Sequence, residues 1–157
     1  MKKFLLTALA LAATSSAFAN TTPAVQLAPN NIEPKLMLSI YLDTGKSLQP
    51  TTKQSISLSN PNERLCWHAF DLTLPHQVDV EEFFISPART SFSHSKSRSQ
   101  TSADGLQHIV QSSLKSINNS AVSQCWKFDK TDPVGTYQFA VKVADVEYPV
   151  QTFEVTK

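Results

Sequence analysis

The sequence predicts an all-β fold, a single-domain antiparallel β-sandwich, on three observations. Apolar residues alternate with polar ones along several short stretches, the two-residue period of half-buried strands. Clusters containing Pro, Asn and Gly separate those stretches, and almost none sustains a helical period. Two cysteines stand in a chain whose first residues route it to an oxidising compartment, where a small domain gains from a cross-link.

Those first residues have three parts. Lys2 and Lys3 make a positive start, Phe4 to Ala13 are apolar save one Thr, and Ala17 and Ala19 form the small-x-small site of a signal peptidase. An apolar run of about ten residues is too short to cross a hydrocarbon core of roughly 30 Å. No cysteine adjoins the expected cut, so no lipid anchor is expected there. Residues 1–19 are therefore expected to leave as a secretory signal, and the destination is the periplasm or the outside of a bacterial cell. The remaining length suits one domain with one core. Removing Lys2 and Lys3 takes the formal net charge from +1 to −1. That balance disfavours nucleic acid as a partner, and no second apolar run is long enough for stable membrane insertion.

Along the mature chain, residues 20–34 hold Thr21, Thr22, Pro23, Pro29, Asn30, Asn31 and Pro34, and read as a flexible leader. The sandwich domain is expected over 35–157. Leu36, Leu38, Ile40 and Leu42 alternate with Met37, Ser39 and Tyr41 as a first strand, which Asp43-Thr44-Gly45-Lys46 ends. Ile56 and Leu58 make a second, stopped at Asn60-Pro61-Asn62. Cys66, Phe70, Leu72 and Leu74 share one face of a longer strand, with His68 among them. Val78 and Val80 continue on one parity while Phe83 and Ile85 take the other, so a bulge or bend is expected at Glu81-Glu82. Leu106, Ile109, Val110 and Leu114 fit a short amphipathic helix about as well as an extended strand. Last come Tyr137, Phe139, Val141 and Val143 on one face, then Val146, Tyr148 and Val150, then Phe153 and Val155.

Cys66 and Cys125 are expected to pair; the long loop they close makes such a bridge worth roughly 4 kcal/mol. Each is followed by Trp, and neighbouring strand residues point to opposite faces. With both sulfurs on one side, the indoles of Trp67 and Trp126 would share the other. The parity of Cys66 with Phe70, Leu72 and Leu74 would then require a bulge.

The run from Cys125 to Phe139, with Trp126 and Phe128 facing inward, Asp132 and Gly135 in a turn and Tyr137 opening the next strand, resembles a bacterial immunoglobulin-like domain. The resemblance covers about thirty residues well and implies an immunoglobulin-like sandwich in which Tyr137 is a tyrosine corner, its hydroxyl bonded to backbone at the preceding turn. It departs from antibody-type domains in having Phe139 where the second cysteine would stand. By the resemblance Cys66 and Cys125 lie on neighbouring strands of one sheet, with the bridge on its outer face. A sandwich says nothing specific about activity.

Chemistry-bearing patterns are sparse. The three glycines, Gly45, Gly105 and Gly135, make no nucleophile elbow. His68, His76, His94 and His108 are well separated and match no metal-ligand spacing. Glu81 and Glu82 face apart on a strand and cannot act together. Asp129 and Asp132 are explained by turn hydrogen bonding. No catalytic residue, metal or cofactor is expected. The unusual segment is 89–105, where serines alternate from Ser91 to Ser99 with Phe92, His94, Lys96 and Arg98. Polar on both faces, it reads as an exposed edge or loop. Its candidate contacts to a partner are Arg89, Phe92, His94, Lys96 and Arg98. The expected function is that of an exported, non-catalytic binding or accessory protein whose partner is a protein or an envelope glycan. The alternatives are a subunit of a surface fibre and a hydrolase inhibitor acting through 89–105.

Overall fold

A computed structural model describes residues 34–157. The expectations for the signal at 1–19 and for the leader up to residue 33 concern residues outside that range. The described residues contain strands and no helix, so none is available that is long and apolar enough to cross a membrane.

Eleven strands follow in chain order: β1 Lys35–Asp43, β2 Leu48–Pro50, β3 Ser55–Ser57, β4 Glu63–Phe70, β5 Gln77–Ile85, β6 Ser97–Thr101, β7 Gln107–Lys115, β8 Val122–Trp126, β9 Gly135–Val143, β10 Val146–Glu147 and β11 Gln151–Thr156. They form two sheets, a four-stranded one in the order β2-β1-β4-β8 and a seven-stranded one in the order β3-β11-β9-β5-β7-β6, with β10 beside β9. The fold is a β-sandwich. Its pairs are antiparallel except β3 with β11, which run parallel.

Alternation decides what each strand buries. In the smaller sheet, Ile40, Leu65, Trp67, Ala69, Val122 and Trp126 face inward. In the larger one, Val78, Val80, Phe84, Val110, Tyr137, Phe139, Val141, Val143, Phe153 and Val155 meet them. The first strand and the C-terminal series therefore lie as their alternation requires, with one exception. Val150, read as continuing the series of Val146 and Tyr148, is 62% exposed and lies outside any strand, between β10 and β11.

Two expectations are corrected. The inward set of β4 is Leu65, Trp67 and Ala69. Cys66, His68 and Phe70 lie on the outer face, and the strand ends at Asp71, whose φ of 61° is a left-handed turn. No bulge is needed to turn both indoles inward, since Leu72 and Leu74 lie beyond the strand. Nor does β5 slip phase at Glu81-Glu82: its pairing with β7 is continuous from Gln77↔Lys115 to Ile85↔Gln107. Val78, Val80, Glu82 and Phe84 all point inward, and Phe83 and Ile85 point out. The stretch 104–118, left open between helix and strand, is strand over Gln107–Lys115, as β7. Its outer face carries Ile109 and its inner face His108 and Val110, so an apolar residue on each side imitates helical spacing.

Candidate functional site

Cys66 and Cys125 are directly opposite each other on β4 and β8 and form a disulfide within the smaller sheet. The indoles on the following residues therefore share the inner face. They meet on one side chain. Trp67 Nε1 donates to Glu82 Oε1 at 2.6 Å, Trp126 Nε1 donates to the same oxygen at 2.7 Å, and Gln124 Nε2 donates to Oε2 at 2.9 Å. The Glu82 carboxyl is 0% exposed. Burial pushes its pKa up to about 7, against the opposing pull of the bonds from Trp126 and Trp67. Three N–H donors satisfy a carboxylate inside an apolar core, where an unpartnered one would not persist. No reactant reaches a group with no exposed surface, so this cluster is a cross-brace between the sheets. The sequence hides it, because a Glu in a strand reads as a solvent-facing residue.

The segment 89–105 does not present one continuous surface. Ser91 to Lys96 is loop, and only Ser97–Thr101 is strand, as the edge strand β6. Phe92, expected to touch a partner, is buried. Its ring stacks on Phe84 at 4.2 Å and lies edge-on to Trp126, Phe128 and Tyr137. An aromatic ring among serines is the one side chain of the run that gains by entering the core, and it anchors the loop. Arg89 lies across Gly105 and donates to the Ala103 carbonyl at 2.9 Å.

From that anchor the loop wraps around the open side of the sandwich and divides the remaining candidates. Ser93 and His94 line a groove of about 570 Å³ together with Lys46, Ser47 and Leu48 of the β1–β2 turn, Arg64, Cys125, Trp126 and Lys127. The Arg64 guanidinium is committed to Asp43 at 3.0 Å and to the carbonyls of Pro61 and Glu63. Lys46, Lys127 and His94 have no ion-pair partner among the described residues. Lys96 and Arg98 lie elsewhere, in a shallow depression on the outer face of the larger sheet with Glu81, Gln111 and Lys142.

The buried Ser86–His108 pair is occupied structurally, whereas His68 Nε2 has no hydrogen-bond partner among the described residues. Ser86 and His108 look like a nucleophile and base, since Ser86 Oγ lies 3.1 Å from His108 Nε2. The Ser86 hydroxyl, however, donates to the Ala88 carbonyl at 2.8 Å, which leaves it an acceptor toward the imidazole. Thr101 Oγ1 lies 3.2 Å from Nδ1. Burial holds His108 below the ordinary histidine range, with Asp104 opposing. His68 sits on the outer face of the smaller sheet against the Tyr41 ring, 5.3 Å away, rather than in a core-like strand position. Burial also lowers its pKa. Among the described residues no three His, Cys, Asp or Glu side chains are grouped to hold a metal ion.

The turn before β9 is built around Tyr137. Its hydroxyl donates to the Pro133 carbonyl at 2.8 Å, and burial and the nearby Asp132 raise its pKa. Asp132 accepts from the Asp129 amide at 2.8 Å, and Asp129 from the Thr131 amide at 2.8 Å. Gly135 has a φ of 133°, and a Cβ there would stand 3.1 Å from the Pro87 ring. Both facts require glycine at that position.

Residues 38–156, from within β1 to the end of β11, match the family model of the PM0630 beta sandwich domain. The chain belongs to that family. A relative from Pasteurella multocida (strain Pm70), described as uncharacterized protein PM0630, is 28% identical over 116 residues, covering 73% of this chain and 72% of the relative. The matched span of this family member includes both sheets, the Glu82 brace, the disulfide and the groove at His94.

Proposed function

We propose that this chain is an exported, non-catalytic binding or accessory protein of the bacterial envelope, immunoglobulin-like in topology, whose groove beside His94 receives a polar, anionic partner. The observation that carries the reading is a contrast in commitment. Glu63, Glu82, Ser86 and His108 are buried and bonded within the fold. Lys46, Lys127 and His94 instead line an open groove. The unpaired ammonium groups of Lys46 and Lys127, with His94 as a hydrogen-bonding group beside them, favour a carboxylate-, phosphate- or sulfate-bearing partner, whether acidic protein or envelope glycan. The signal-like residues 1–19 and the disulfide support export to the periplasm or beyond. The parallel β3–β11 pair and the Tyr137 hydroxyl bonded at the preceding turn support the immunoglobulin-like topology.

Residues 20–157 with a C-terminal tag, used to retain material from the organism's envelope, test the reading. Retention of an acidic protein or glycan is expected, and the triple variant K46S/H94S/K127S should lose it while K96S/R98S keeps it. Equal retention by the triple variant would overturn the assignment. Point substitution is the right tool here, since replacing all of 89–105 would also remove the Phe92 anchor and β6.

A further inference from the structure

The outer face of the larger sheet carries an apolar row that no element among the described residues covers. Ile109 of β7 is opposite Phe83 of β5, and Phe83 is opposite Ala140 of β9. Ile85 stands two residues along β5 at 42% exposure, and Val150, just before β11, is 62% exposed. A strand with one buried face ordinarily turns polar residues to solvent. Here β5 turns Phe83 and Ile85 outward instead, and neighbours extend that patch across strands spaced about 4.8 Å apart. Contiguous apolar surface bordered by polar residues is the anatomy of an association surface.

Charge identifies the occupant. The next row across the sheet runs Arg98, Gln111, Glu81, Lys142, Glu147 through successive strand pairs. Within it Gln111 donates to Glu81, and Lys142 is neutralised by Glu147 at 3.1 Å. At the β6 edge, Lys96 and Arg98 have no ion-pair partner among the described residues. At the opposite end of the same row stand Asp145 and Glu147, both exposed, and Lys142 offsets only one of them. The face is thus positive on one side, apolar in the middle and negative on the other.

We infer that this face binds a second copy of the chain, outer sheet to outer sheet, about a two-fold axis running along β5. A two-fold interface must be complementary to itself. An axis along the strands lays the Lys96–Arg98 edge of each copy over the Asp145–Glu147 edge of its partner and stacks the apolar rows. An axis across the strands would set the cationic edges against each other, and like charges disfavour it. The inference goes beyond the anion-binding groove, which lies against the smaller sheet and stays open in such a dimer.

Sedimentation equilibrium on residues 20–157 tests it. The unaltered chain is expected to dimerise reversibly. K96E/R98E makes both edges negative and D145K/E147K makes both positive, so each alone should associate at least tenfold more weakly. An equimolar mixture of the two should recover association, because opposite edges then meet at both ends of the interface. All four positions are exposed, which keeps folding out of the result. Phe83→Ser, checked for folding by near-ultraviolet dichroism, should also weaken the dimer at least tenfold. A chain that stays monomeric at millimolar concentration overturns the inference. So does a dimer indifferent to both charge pairs, or a mixture no better associated than its components. K46S/H94S/K127S should leave dimerisation unchanged, so failure here and failure of the groove assignment remain separate results.

Discussion

Two glutamates lie buried among the described residues, and the fold treats them oppositely. Glu63 closes the β3–β4 connection and is 2% exposed; Glu82 sits between the sheets at 0%. Burial pushes both carboxyl pKa values upward. At Glu63 the Lys53 ammonium, the Ser57 amide at 2.8 Å and the Asn60 side chain at 3.1 Å outweigh it, and the pKa is held below the ordinary value. At Glu82 the indole bonds do not outweigh it, and the pKa rises to about 7. The lesson concerns the kind of partner. An ammonium brings a full opposite charge and keeps its own contact with water, whereas an N–H brings only a dipole. At the rim of the sandwich a lysine can reach; between the sheets only neighbouring ring and amide donors can.

The strongest way to break the comparison is to remove the donors of Glu82. The double variant W67F/W126F deletes two hydrogen bonds to a carboxyl and should lower stability at pH 8 by about 4 kcal/mol. The loss should be smaller at pH 5, where the carboxyl is protonated. Urea unfolding at the two pH values measures it, and an equal loss at both would show that ring packing alone is at stake.

Next in size is the pH dependence of the unaltered chain. The folded pKa of Glu82 lies above the unfolded value of 4.5, so the native state holds the proton more tightly. Its contribution is complete below 4.5 and is lost as pH rises through about 7, a change of roughly 3 kcal/mol between pH 4.5 and 8. Glu82→Gln should flatten that slope, because the neutral amide does not titrate and Gln124 can turn its own amide to match. A slope unchanged by the substitution would locate the titration elsewhere. Glu63 works in the other direction. Its folded pKa is depressed, so its contribution is present above 4.5 and lost as pH falls below that value.

The smallest effect sharpens that contrast. Lys53 is 51% exposed, so solvent screens its pair with Glu63. Lys53→Met should cost about 1 kcal/mol at pH 7 and progressively less as acidification protonates the carboxyl below its ordinary range. A cost independent of pH would mean that the lysine acts through its aliphatic stem.

Much of the scaffold was legible from residue order. The alternation in β1, β9 and β11 predicts both their existence and their buried faces. The two Cys-Trp pairs placed sulfurs on one side and indoles on the other. The functional surfaces were harder to read. Phe83 and Ile85 stand on the parity opposite to Val78 and Val80 and so suggested a bulge, which hid that Glu82 and Phe84 continue the inward series. Phe92 among serines looked like a contact residue because nothing local records that Phe84, Trp126 and Tyr137 leave a place for its ring. The division of His94 from Lys96 and Arg98 was equally hidden, since an unbroken Ser-x alternation does not show where a loop turns around an edge.

The sequence by itself determined the β character, the strand faces wherever alternation was uninterrupted, and the turn at Gly135. These depend on neighbours within a few residues, through the two-residue strand period and the steric limits of φ. Tertiary structure alone decided that two indoles and an amide would hold Glu82 between the sheets, that Phe92 would turn inward, and that two separate cationic surfaces would form. Each of those outcomes depends on groups far apart in the chain, and the free energy of burying a charge or a ring is set by what the other sheet brings to meet it.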